Sequence, residues 1–265
     1  MNTKIARREF FLSAGLGAVA VMAQAQRAGA KVMPKALVFD TFGTVVDWRS
    51  SIIEEGAAWD KEHRVTIDWA KFAERWRAGY GPAMNKVRKG EMPWTKLDVL
   101  HRMILEDVLR EFGMNGLTEE QKDHWNKVWH RLKPWPDSVA GLTRLKKKFI
   151  IGPMSNGNIG LMTDMAKNAG LPWDVILGAE LVRHYKPDKE TYLSAADFLG
   201  LKVEETMMVA AHYGDLKAAQ ALGLQTGFVY RPNEYGAGGR ADKANPGDFD
   251  YVARDFLDLA SQLGA

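Results

Sequence analysis

The chain contains no cysteine, which excludes a thiol nucleophile, a disulfide framework and thiolate metal sites. Long apolar runs are missing as well. The stretch from Phe10 to Ala23 covers 14 residues, short of the roughly 20 that a helical bilayer span needs, and no later stretch does better, so the mature chain is expected to be soluble. An excess of either charge is lacking: the formal net charge is +3, and removing Lys4, Arg7, Arg8 and Glu9 with a leader leaves about +1. Without a basic block there is no dedicated groove for a phosphate backbone, and no nucleic-acid partner is expected. Phosphate-binding loops are also lacking. Gly15-Leu16-Gly17 has no strand-turn-helix context, and nothing fits a Walker loop. The six histidines have no zinc-ligand spacing, and His124 and His130 read as helix-surface residues. Nine tryptophans fall mostly in helical segments or beside prolines, where core packing is the economical explanation.

The N-terminus carries a different signal. Arg7-Arg8-Glu9-Phe10-Phe11-Leu12 precedes the Gly/Ala-rich apolar run, and small residues follow at Val21-Met22-Ala23 and Ala23-Gln24-Ala25. This order resembles a twin-arginine export leader. Residues 1–33 are therefore read as leader and linker, with the export machinery as a partner and a periplasmic location after processing. The alternative is a cytoplasmic protein starting near Met33.

The remaining chain is long enough for one α/β core with an inserted module. Ala36-Leu37-Val38-Phe39 reads as a buried strand. From Trp48 to Lys133 the period is helical, with Asp68 to Arg77 as one segment and Leu97 to Phe112 as another; Leu97, Leu100, Ile104, Val108 and Phe112 mark a buried face. Thr118-Glu119-Glu120-Gln121 is a capping box. After Pro136 strands alternate with helices: strands at Phe149–Met154, Asp174–Leu177, Thr206–Ala210 and Thr226–Tyr230, helices at Gly160–Ala169, Lys189–Phe198 and Leu216–Leu222. That rhythm predicts an α/β fold, a Rossmann-like, mostly parallel sheet. The domain boundaries follow as 34–47 and 134–265 for the core and 48–133 for a small helical cap.

In such sheets ligands sit beyond the strand C-termini, where Asp40, Ser155, Asn156 and Asp215 would gather. Asp40 ends the first strand, so its carboxylate is a candidate nucleophile, with Gly43 permitting a tight turn and Thr41 and Thr44 offering hydroxyls.

Taken in order, Phe39-Asp40-Thr41-Phe42-Gly43-Thr44, Ser155-Asn156-Gly157, Tyr185-Lys186-Pro187-Asp188 with Tyr192, and Ala211-His212-Tyr213-Gly214-Asp215 resemble the haloacid dehalogenase superfamily. The closer likeness is to its cofactor-independent type II L-2-haloacid dehalogenases, over about Pro34 to Leu263. The resemblance implies that Asp40 attacks the halogen-bearing carbon of a small (S)-2-haloacid, that water cleaves the resulting ester, and that an inverted (R)-2-hydroxy acid leaves. It implies that Lys186 supports Asp40 and that Asp215 positions Lys186 or the water. Arg77 would meet the halide, Ser155 and Asn156 the substrate carboxylate, Thr44 would orient Asp40, and Tyr192 would close part of the pocket. No cofactor or metal is implied, and a homodimer is compatible with the family.

Two departures matter. Phosphatases of this superfamily carry a second aspartate two residues after the nucleophile, whereas this chain has Phe42, so the general acid/base for phosphoryl transfer is missing. At Ala210-Ala211-His212 the common pattern offers hydroxyls and then asparagine, which makes His212 a candidate for the catalytic network or the halide side of the pocket. The alternatives are a hydrolase for small phosphate esters and a non-catalytic small-acid-binding protein.

Overall fold

The computed structural model describes residues 32–265; the expected export leader lies almost wholly outside the described residues. The first strand, β1 (Ala36–Phe39), is buried along its whole length. Its side chains alternate: Leu37 and Phe39 enter one apolar cluster and Val38 enters another, as the two-residue period of a strand dictates. Fully burying side chains of this size contributes about 1.5–3 kcal/mol each, which anchors β1 at the centre of the sheet.

Around it lie β4 (Ile150–Ser155), β5 (Leu177–Gly178), β6 (Thr206–Ala210), β7 (Gln225–Val229) and β8 (Tyr251–Ala253), in the order β5-β4-β1-β6-β7-β8. Every pairing is parallel. Helices α5 (Ser138–Lys146), α6 (Ile159–Ala169) and α10 (Phe256–Gln262) pack on the face of Leu37 and Phe39. Helices α8 (Lys189–Leu199) and α9 (Tyr213–Ala221) pack on the opposite face. The result is a Rossmann-like core covered on both sides, with all the strand C-termini on one edge.

The helical insertion leaves and re-enters beside that edge. A short antiparallel pair, β2 (Val46–Asp47) and β3 (Lys133–Pro134), ties its two ends together. Between them run α1 (Trp48–His63), α2 (Trp69–Arg88), α3 (Leu97–Glu111) and α4 (Glu119–Asn126). Asp47 caps α1 by accepting from Ser50 N, Asp68 caps α2 by accepting from Lys71 N, and the Thr118–Gln121 box caps α4 with both reciprocal bonds. The tryptophans form the cap interior: Trp69 stacks on Trp125 at 4.8 Å, and Trp48, Trp76 and Trp129 are fully buried. That apolar cluster is continuous with the core through Phe42, Val45 and Val46.

Three sequence expectations change. Helix α2 runs eleven residues past Arg77, to Arg88 with Pro82 inside it. The segment beginning at Asp174 is strand only at Leu177–Gly178, because Asp174 brackets β4 instead, its Oδ2 accepting from Ile151 N and its N donating to Ile151 O. His130 is buried, not on the helix surface: Nδ1 lies 2.8 Å from Asp164 and Nε2 3.0 Å from Asp98. It therefore joins α6 of the core to α3 of the cap. His124 is exposed, as expected.

Candidate active site

Asp40 follows β1 directly, and its N–H donates to Val209 O at 2.9 Å, extending the β1–β6 ladder one residue past the strand. That bond fixes the carboxylate at the ligand-facing edge of the sheet. The chain then turns sharply through Gly43, at φ +86°, and Val45 N and Val46 N both donate to Thr41 O. The turn brings Thr44 back so that its hydroxyl donates to Asp40 Oδ2 at 2.7 Å and accepts from Ala211 N at 2.9 Å.

Lys186 reaches Asp40 from the loop before α8. Its Nζ donates to Asp40 Oδ1 at 2.9 Å and to Asp215 Oδ2 at 2.6 Å, so the charge between the two carboxylates is the lysine ammonium. Asn156 holds the lysine backbone, with Oδ1 accepting from Lys186 N at 2.8 Å. Asp215, in the first turn of α9, accepts from the Tyr192 hydroxyl at 2.5 Å. His212, just before α9, places Nδ1 3.0 Å from Asp40 Oδ2 and Nε2 3.1 Å from both oxygens of Glu234.

Charge balance decides the protonation states. Burial pushes the Asp40 carboxyl up, but Lys186 and His212 outweigh it and hold Asp40 well below the usual carboxylate range. Burial pushes Lys186 down, and Asp215 and Asp40 reverse that and raise it. For His212 burial also opposes the charge, yet the bonds to Asp40 and Glu234 lift the imidazole to about 10. The resting site thus holds an ionised Asp40 between two cations. Burial, with Asp215 next to it, pushes Tyr192 up and keeps its proton in place.

A cavity of about 370 Å³ opens over this cluster, and Asp40, Asn156, Lys186, Tyr192, His212 and Asp215 all line it. Arg77 enters from α2, completing the cavity from the cap side. Its guanidinium lies 4.2 Å from the Tyr80 ring centroid, and its Nε is buried without a hydrogen-bond partner among the described residues. A buried guanidinium N–H with no acceptor beside an open cavity is suited to receive an anion. Phe42 is buried and packs edge-on against Trp129, Tyr80 and His101, so it contributes no polar group.

Thr44 is fully buried beneath Asp40 and orients its carboxylate, so it acts on Asp40 and not on the cavity. Ser155, expected beside the substrate carboxylate, is not among the residues lining the cavity. It is fully buried, with Oγ accepting from Gly157 N at 3.1 Å inside the turn. Two residues at the site, Tyr80 and Glu234, carry no motif that marks them in the sequence. Tyr80 was within reach, since its spacing of three from Arg77 puts both on one helix face. Glu234 lies in an irregular loop after β7, 2% exposed, and accepts from Trp48 Nε1 at 3.2 Å as well as meeting His212. Gly43 leaves it room: a Cβ there would fall 2.1 Å from Glu234 Oε1.

The family described as haloacid dehalogenase-like hydrolase matches residues 34–223. Among solved structures, the defluorinating L-2-haloacid dehalogenase Rha0230 is 49% identical, with a TM-score of 0.84 over 88% of this chain and 96% of that one. The L-2-haloacid dehalogenase PA0810 is likewise 49% identical, with a TM-score of 0.84 over 87% and 99%. (S)-2-haloacid dehalogenase 1 of Pseudomonas sp. (strain CBS-3) is 26% identical over 215 residues, 76% of this chain and 88% of that protein.

Proposed function

The chain belongs to the haloacid dehalogenase-like hydrolase family, and from that premise we propose that it hydrolyses small (S)-2-haloacids to (R)-2-hydroxy acids through an ester on Asp40. The observation that carries this reading is the pairing, across one cavity, of an ionised carboxylate fixed by donors with an arginine whose Nε has no hydrogen-bond partner among the described residues. A fixed anion facing a small cavity is a nucleophile held for in-line displacement. One Asp40 oxygen bonds to the substrate Cα as the carbon–halogen bond breaks, and the halide leaves with the bonding pair toward Arg77. Attack from the face opposite the halogen inverts the centre. Water then adds to the Asp40 carbonyl carbon, the bond from that carbon to the product oxygen breaks, and the carboxylate is restored.

Lys186 offsets the Asp40 charge in the resting site, with Asp215 and Tyr192 holding the ammonium in position. Asn156 stands at the cavity wall to receive the substrate carboxylate. The likeness to a defluorinating enzyme, together with the three cationic donors Arg77, Lys186 and His212 around the cavity, extends the proposed substrates to 2-fluoroacids. The rival reading as a phosphate-ester hydrolase has Phe42 against it, since an apolar buried ring cannot protonate a leaving alkoxide.

The test supplies purified protein with (S)- and (R)-2-chloropropionate, fluoroacetate and a panel of small phosphate esters, and measures chloride, fluoride and phosphate. The expected result is chloride from the S form with (R)-lactate as product, fluoride from fluoroacetate, and no enzyme-dependent phosphate. Phosphate release without halide release would replace this reading with the rival.

A further inference from the structure

Resting on the ester mechanism above, we propose that His212 is the base that removes the proton from the hydrolytic water, and that Glu234 is the positioning residue that holds its ring for this task. Net hydrolysis of an aspartyl ester requires a proton acceptor near the ester carbonyl. Lys186 is a poor one, since Asp215 and Asp40 hold it as the ammonium. Asp215 accepts from both Lys186 and Tyr192, one donor on each oxygen. His212 alone among these groups has one ring nitrogen on Asp40 and the other anchored behind it.

The anchor is built into the fold. Glu234 is buried, sits in space that only a glycine at position 43 leaves open, and takes a second hydrogen bond from Trp48. Its loop is pinned by Arg231, which is also buried. Arg231 pairs with both oxygens of Asp137 at 2.6 and 3.0 Å and donates Nε to Thr44 O at 2.8 Å. A buried carboxylate held this firmly behind an imidazole fixes the tautomer of the neutral ring, with Nε2–H toward Glu234 and the Nδ1 lone pair toward Asp40 once Asp40 is an ester.

The cycle balances. In the resting enzyme both ring nitrogens face carboxylates, so the ring is an imidazolium. Alkylation neutralises Asp40, the main partner of Nδ1, and the Nδ1 proton passes to solvent as halide departs. Water then attacks the ester carbonyl carbon and gives one proton to Nδ1. The second proton stays on the tetrahedral intermediate and leaves with the product oxygen, completing the 2-hydroxy acid. Asp40 returns as a carboxylate facing an imidazolium. Each turnover thus consumes one water and releases one halide and one proton. The ionisable groups facing His212 are Asp40 from the end of β1 and Glu234 from the loop after β7, with Lys186, Asp215 and Arg77 of the cap lining the same cavity.

The experiment mixes enzyme with excess (S)-2-chloropropionate, quenches at intervals, and follows chloride and the Asp40 adduct by intact-protein mass, for wild type, His212→Ala and Glu234→Gln, from pH 6 to 10. The expected result for H212A is a chloride burst of about one per site followed by a stall. Its adduct should decay roughly 10²–10⁴-fold more slowly than in wild type, the usual loss on removing a general base. E234Q keeps the shape of the side chain; it should slow adduct decay less and move the rising limb of its pH profile to lower pH, because the charge holding the ring protonated is gone. In wild type the adduct should decay faster as pH rises toward a plateau. Adduct decay that is unchanged in both variants would overturn the proposal, as would decay that speeds up as pH falls, which would mark the imidazolium as a donor to the ester carbonyl. Wild-type protein releasing no halide would remove the ester mechanism and this inference together, whereas wild-type turnover with unaltered variants would remove the inference alone.

Discussion

Asp40 meets three hydrogen-bond donors before any substrate arrives: Thr44, Lys186 and His212. Such preorganisation lowers the reorganisation needed at the moment of displacement. Arg77 is different, because its Nε has no hydrogen-bond partner among the described residues. Arg77→Ala is therefore expected to lower the turnover rate by about 10²–10³-fold, the usual cost of losing one donor to developing charge, while far-UV circular dichroism is unchanged. Chloride release at the wild-type rate in R77A would show that the guanidinium serves only to pack on Tyr80. At this scale Asp40 was legible from its place at the end of an apolar strand and Asp215 from its place just after another, whereas Lys186 was marked by the family resemblance of Tyr185-Lys186-Pro187-Asp188. Glu234 was not legible. It lies in a loop of glycine, proline and asparagine where no period survives, and what fixes it is the long-range pairing of Arg231 with Asp137.

Helix α2 shows how an element can be longer than its sequence suggests. Ala78-Gly79-Tyr80-Gly81-Pro82 reads as a helix end, yet the helix continues to Arg88. Gly79 is there for packing: a Cβ would fall 2.5 Å from Ile104 Cγ2, so the glycine lets α2 and α3 approach closely. The continuation matters to the site, since it keeps Arg77 and Tyr80 in one rigid segment. His130 makes a second link between elements, from Asp98 of α3 to Asp164 of α6. Burial pushes its imidazole down, but the two carboxylates outweigh burial and raise it above the ordinary value. A folded value above the unfolded one gives stability that is complete below about pH 6.5 and is lost as pH climbs through the raised value. The melting-temperature gap between wild type and His130→Ala should accordingly be widest below pH 6.5 and narrow at higher pH. A gap that widens with rising pH would contradict the assigned charge. Sequence alone put His130 on the helix surface because its partners lie 32 and 34 residues away.

On the scale of the whole molecule, the cap and core share one apolar cluster and several polar ties. Arg88 pairs with Asp188 at 2.7 Å, Lys96 with Glu180 at 2.6 Å, and Tyr185 donates its hydroxyl to Thr95 O at 2.6 Å. These contacts hold Arg77 of the cap over Asp40 of the core, so the site is complete only when both are docked. The parallel sheet was legible from the alternation of apolar runs with helical periods. Strand β8 was not, because Tyr251-Val252-Ala253 is too short to show a period and is recognised only by its pairing with β7. The central claim, covalent displacement by Asp40, is tested most directly by the origin of the product oxygen. With enzyme in excess over (S)-2-chloropropionate in ¹⁸O-labelled water, a single turnover should yield lactate whose new hydroxyl is unlabelled, with the label appearing on Asp40. Label in the lactate hydroxyl from that first turnover would mean that water attacks the substrate directly, and Asp40 would then not be the nucleophile.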